Sequence, residues 1–257
     1  MTTLALILVL VSAISHAVWN FLLKRSTNKE IFVCGLLVCI SVVVSPLAVL
    51  LLLIDPIEGP GWWFILVTSL LHALYFLFLG RSYTYGDLSS VYPVARGFAP
   101  ALVPILGILI LGEKVSFIAA IGITSIVSGI ATVYWWGKVK LVLQNPVGLL
   151  LDPATRFALL TGLVIAIYSV WDKVGVRYVN PFLYMYFMSL CTAFLLSPYI
   201  LNKYGPRSVY LEWYKAKGSI LSSGCLSFVS YGFILTALTI SNVSYVVPAR
   251  EIGIVVG

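Results

Sequence analysis

Two hexapeptides, Val91-Tyr92-Pro93-Val94-Ala95-Arg96 and Tyr245-Val246-Val247-Pro248-Ala249-Arg250, carry a proline and an Ala-Arg pair into the interior of strongly apolar segments. A guanidinium in hydrocarbon costs at least about 2.5 kcal/mol on insertion scales, so such a group faces protein or a water-filled cavity rather than lipid. Its planar fork matches a carboxylate or a phosphate, which makes Arg96 and Arg250 candidate binding groups for an anionic substrate. The alternative is a structural ion pair with Asp172, Glu251 or Asp87. Snorkelling does not account for them: at ~1.5 Å per residue, Arg96 lies roughly 15 Å from the start of its segment near Gly86.

Glu251 follows Arg250 directly, so on a helix the two side chains diverge by about 100° and each needs its own partner. Glu251 either exchanges a coupling proton or serves as counter-ion to Arg96. In the first segment Ser12, His16 and Asn20 recur every four residues and form a polar stripe that must face protein. Imidazole titrates near neutrality, so His16 is a candidate coupling group, with a plain interhelical hydrogen bond as the alternative. His72, on a common face with Thr68 and Tyr75, joins Tyr92, Tyr245 and Trp19 in the candidate substrate-binding set. Pro93, Pro100 and Pro104, with Gly97 and Gly107, should kink or loosen their helix, either as a gate or as a passive bend.

These residues need elements to hold them. With 61% hydrophobic and 10% charged residues, and a mean hydropathy of +1.05, the chain is too apolar for a water-soluble protein. It reads as an all-α polytopic membrane protein, because barrel strands would alternate every second residue and these segments do not. At about 20 apolar residues per crossing the length allows roughly nine or ten spans. Apolar segments run near 2–23, 31–54, 62–80, 88–112, 115–136, 157–179, 181–201, 218–240 and 243–257. Gly257 ends the last one while it is still apolar, so the sequence is expected to be cut off within that segment. Cys34, Cys39, Cys191 and Cys225 all lie within apolar segments without zinc-type spacing and read as small hydrophobes.

The net charge of +7 sits in short loops and marks orientation rather than nucleic-acid binding. Lys24, Arg25, Lys29, Arg81, Lys138, Lys140, Arg156, Lys203, Arg207, Lys215 and Lys217 fall on one side, against Lys114, Lys173 and Arg177 on the other. The side richer in positive charge is cytoplasmic, which places the N-terminus outside. Trp62-Trp63 and Trp135-Trp136 mark span ends at the headgroup level.

A shift of about 152 to 154 residues brings Trp19-Asn20 onto Trp171-Asp172 and Ala95-Arg96 onto Ala249-Arg250. Tyr168 then stands where His16 does; Asp172 and Lys173 lie either in the membrane or in a solvated loop beyond Trp171. A unit of five spans is odd, so the second unit enters the membrane in the opposite sense, giving two inverted five-helix repeats.

His16-Ala17-Val18-Trp19-Asn20, together with the run from Gly86-Asp87-Leu88-Ser89 through Arg96-Gly97 to Leu111-Gly112-Glu113-Lys114, resembles the EamA-type members of the drug/metabolite transporter superfamily. The resemblance implies a ten-helix fold: residues 1–137 as the first repeat, 138–156 as a linker and 157–257 as a second repeat without its last helix. It implies movement of a small metabolite or drug across the inner (plasma) membrane, often as efflux. It also implies a cytoplasmic N-terminus, against which the loop charges argue, and the charges are followed here.

The favoured reading is a secondary transporter for a small polar, anionic metabolite, with the lipid bilayer as surroundings and protons as a candidate coupling ion. A flippase for a lipid-linked group is a second transporter reading. A membrane-embedded lipid-modifying enzyme is the reading from another class, but no metal, nucleotide or nucleophile motif is found, so no catalytic role and no cofactor are assigned. The orientation is open to test. A cysteine introduced at Ser26, in a background with the four native cysteines replaced by serine, should resist an impermeant thiol reagent applied to intact cells. Labelling from outside would reverse the assignment.

Overall fold

The computed structural model describes residues 1–86, 88–135 and 152–252. Among them every regular element is helical: α1 (Thr3–Lys24), α2 (Lys29–Val43), α3 (Ser45–Ile54), α4 (Gly59–Tyr85), α5 (Leu88–Leu111), α6 (Phe117–Trp135), α7 (Pro153–Gly175), α8 (Pro181–Ile240) and α9 (Val243–Arg250). Five of these helices are long and apolar enough to cross a membrane, and the bent pair α2 and α3 makes a sixth if the two together form one span. The expected all-α membrane architecture is therefore present. Lys138 and Lys140, Asp87, and the side chains of Tyr92 and Trp135-Trp136 lie outside the described residues.

The side-chain distribution is that of a protein in lipid. On α1, Leu4, Ile7, Ile14, Val18 and Phe21 point outward, while Ala5, Val9, Ser12, Ala13, His16 and Ala17 are buried. Large apolar groups face the solvent, which is hydrocarbon, and small or polar groups face the neighbouring helix, where they let backbones approach. Trp62 and Trp63 are exposed in the first turn of α4. Cys34 and Cys39 are buried, whereas Cys225 lies exposed on the outer surface.

Two compact units emerge from the packing, and both interleave the chain. Among the described residues, unit 1 holds 1–73, 171–241 and 252; unit 2 holds 74–86, 88–135, 152–170 and 242–251. In unit 1, α8 packs against α1, α2 and α3. In unit 2, α5 packs against α6 and α9, and Ala95 of α5 shares an apolar cluster with Ala154 and Ala158 of α7. Division of the chain into repeats 1–137 and 157–257 is a separate matter from these contacts.

Three expectations change. The segment 31–54 is not one straight span but α2 and α3, bent by 53°. Pro46 in the first turn of α3 removes a backbone donor and crowds the carbonyl of Val42, which accepts instead from the Ser45 hydroxyl at 2.8 Å. Conversely, α5 runs without interruption past Pro93, Pro100 and Pro104, so these prolines do not break it.

The third change is the largest. Residues 202–217, expected as a basic loop, are helical apart from Gly205, where α8 folds back with φ 76° and ψ 155°. Phe182 near the start of α8 lies against Phe228 in its second leg, with ring centroids 5.7 Å apart. Pro206 opens the second leg, where a missing N–H costs nothing.

Gly205 occupies a backbone region that is essentially closed to residues with a Cβ. Gly205→Ala should therefore lower stability by about 1–3 kcal/mol. Gly218→Ala, in the same leg with open space around its Cβ, should be neutral or stabilising by up to about 1 kcal/mol. Thermal unfolding of both variants in detergent checks the contrast.

Candidate ligand and proton sites

In unit 2, the loop after α5 holds the short helix α9 by its N-terminus. Gly112, at φ 66°, ends α5 with a left-handed turn, and the Glu113 N–H returns to the Gly107 carbonyl at 3.1 Å. That turn aims the Glu113 carboxylate at the first turn of α9. Its oxygens accept from the N–H of Val243 at 2.8 Å, the N–H of Ser244 at 3.0 Å and the Ser244 hydroxyl at 2.6 Å. Asn242, at the N-cap position, makes no side-chain cap, so Glu113 caps α9 from another part of the chain. Tyr245 adds a clamp: its hydroxyl donates to the Lys114 carbonyl and accepts from the Ser116 N–H, both at 3.2 Å.

This clamp positions the end of α9 beside α5. Arg96 Nη1 and Glu251 Oε1 lie 3.4 Å apart, and both side chains are almost wholly buried. Of the two readings open for Glu251, the counter-ion contact to Arg96 is what this geometry contains. Arg250, half-buried in the same unit, and Tyr245 complete the described candidate residues there.

Unit 1 holds the other candidates. The Trp19 indole donates to His16 Nδ1 at 3.1 Å, and the rings meet edge to face. An accepting Nδ1 places the ring hydrogen on Nε2, so a proton arriving at Nδ1 must displace the indole. Asn20 Nδ2 donates to the His16 carbonyl at 2.8 Å, and Ser12 pairs with Ser230 of α8 at 3.1 Å. The stripe on α1 is thus partly internal bonding and partly a seam with α8.

His72 belongs to a different cluster, one that sequence reasoning missed. Asp172 does not sit in a loop: α7 continues past Trp171 to Gly175, and the carboxyl is fully buried. Thr68 and Tyr184 hydroxyls donate to its Oδ1 at 2.7 Å each, and the Tyr231 hydroxyl donates to Oδ2. His72 Nδ1 lies 2.9 Å from the Thr68 carbonyl and 3.2 Å from the Thr68 hydroxyl, which ties the imidazole to a partner of Asp172. The neighbouring Lys173 ammonium turns away to the carbonyls of Leu238 and Ser241, at 2.5 and 2.8 Å, and so caps the end of α8. Thr68 and His72 were visible as one helix face. Tyr184 and Tyr231, lying among many tyrosines, carried no signal of their own.

Loss of the Glu113 carboxylate strands donors of α9. Glu113→Ala should lower stability by about 2 kcal/mol, and Glu113→Gln by less, because an amide oxygen still accepts from one donor. Thermal melts of the two variants read the difference.

A search of curated proteins finds no match to this chain. The profile of the EamA-like transporter family, by contrast, matches residues 3–135, just over half of the sequence and including Arg96 and the Glu113 turn. Taken with the apolar spanning helices, that match places the chain in a family of membrane transporters within the drug/metabolite transporter superfamily. The protein is a multi-pass membrane protein that belongs to the EamA-like transporter family.

Proposed function

We propose that this transporter moves a small polar, anionic metabolite across the inner (plasma) membrane by alternating access, in the direction of efflux. The observation that supports this reading is the buried guanidinium of Arg96 on α5, 3.4 Å from Glu251. A substrate carboxylate or phosphate competes with Glu251 for the same fork, so binding is an exchange of one anion for another. Arg250 supplies a second positive charge in the same unit.

Such an exchange also offers a route for coupling. A proton on Glu251 removes its claim on Arg96 and leaves the guanidinium to the substrate anion; release of substrate restores the ion pair. His16 is the second group proposed to couple, through displacement of the Trp19 indole.

The test uses the full chain in vesicles of phosphatidylethanolamine and phosphatidylglycerol, with a pool of labelled carboxylate, phosphate and neutral metabolites. Wild type should exchange one or more anionic members of the pool. Arg96→Ala and Arg250→Ala should abolish that exchange with normal abundance, and the lysine variants should lose at least about tenfold, roughly 1.4 kcal/mol of transition-state stabilisation. Exchange at the wild-type rate in both alanine variants would defeat the reading.

A further inference from the structure

Asp172 is fully buried in unit 1, and its partners allow it to exist in two protonation states. As a carboxylate it accepts from Thr68, Tyr184 and Tyr231. As a carboxylic acid it has one O–H to place and needs one acceptor. Tyr184 provides it. The Phe64 carbonyl stands 3.3 Å from the Tyr184 hydroxyl, so that hydroxyl can turn its hydrogen to Phe64 and accept from Asp172 instead. The rotation of a single hydroxyl keeps every polar atom paired in both states.

The Arg96–Glu251 pair lacks this property. Protonating Glu251 removes the charge it sets against a buried guanidinium, and a substrate anion can take its place. The hydroxyl partners of Asp172 are neutral, so its protonation leaves no opposite charge uncompensated, although the bonds to it change from charge-assisted to neutral ones. Burial completes the argument: with no exposed surface, Asp172 exchanges protons with water only when the protein opens. Exchange gated by conformation is what a coupling site requires. Among the described residues, the other titratable or charged groups around it are His72 on α4, whose Nδ1 lies 2.9 Å from the Thr68 carbonyl and 3.2 Å from the Thr68 hydroxyl, and Lys173 on α7, whose ammonium donates to the end of α8.

From this geometry we infer that Asp172 is a proton-exchanging site of the transport cycle, with Tyr184 as the hydroxyl that switches between the two states. The step is simple in its balance: a proton from water enters, the carboxylate becomes a carboxylic acid, and the same proton later leaves to water on either side. The inference rests on the proton-driven form of the reading above, but its site and chemistry are separate from Arg96 and Glu251.

The decisive measurement needs no substrate. Infrared spectra of the full chain in the same vesicles, recorded across pH, should show a protonated-carboxyl carbonyl band that titrates. Asp172→Asn should remove that band, and Glu251→Gln should leave it. A band unchanged in Asp172→Asn overturns the inference. Should Asp172→Asn fail to fold, Tyr184→Phe and Tyr231→Phe keep the carboxyl and must displace its titration midpoint; a midpoint unmoved in both overturns it equally. Flux supplies the functional arm. With the labelled pool, Asp172→Asn should retain exchange without a gradient while losing at least tenfold of pH-driven accumulation, and accumulation at the wild-type level would defeat the coupling role. Absence of exchange in wild type would count against the anionic-substrate reading alone, since the infrared band still decides for or against the proton site.

Discussion

A polar group that leaves water for the interior of a membrane protein must bring its hydrogen-bond partners with it, because lipid supplies none. That constraint explains why the unusual features of this chain come in complementary sets. Orphan donors at the start of α9 meet the Glu113 carboxylate, and carbonyls at the end of α8 meet the Lys173 ammonium. Each of these is a helix terminus completed by a charge of the appropriate sign.

The same requirement separates the two buried carboxyl groups by the kind of partner they have. Glu251 faces a fixed positive charge, so its protonation is coupled to what else that charge can pair with. Asp172 faces hydroxyls, which are donors and acceptors at once. An ion pair ties protonation to the arrival of a ligand, whereas a hydroxyl cage ties it only to access. Under the proposed proton-driven cycle, the two arrangements would make a proton count in different ways.

Much of this was legible in the residues. Membrane class and helical architecture followed from hydropathy, and the Leu-Gly-Glu-Lys turn stood out before its structural role was known. Gly112 and Glu113 now explain that motif: the glycine makes the turn and the acid caps α9. Other features resisted for physical reasons. Hydropathy registers polar residues at 202–217 as a loop, but Arg207, Lys215 and Lys217 are good helix formers, and the chain reverses at the single residue Gly205. Prolines mislead in the opposite way, since α5 absorbs three while Pro46 accompanies a 53° bend. Asp172 escaped because a carboxylate beside a lysine at a presumed helix end looks like surface charge; only the tertiary positions of Tyr184 and Tyr231 make it a core residue.

Those two tyrosines sit on opposite legs of α8, near the ends farthest from Gly205. The reversal at Gly205 is a covalent joint at the closed end of a hairpin. Asp172, which holds one tyrosine from each leg, is a pin across the open end. A hairpin joined at both ends resists splaying, and here the carboxyl shares that task with the contact of Phe182 and Phe228. Two oxygens of one side chain therefore join the legs of the longest element of unit 1 at the end opposite its only covalent turn.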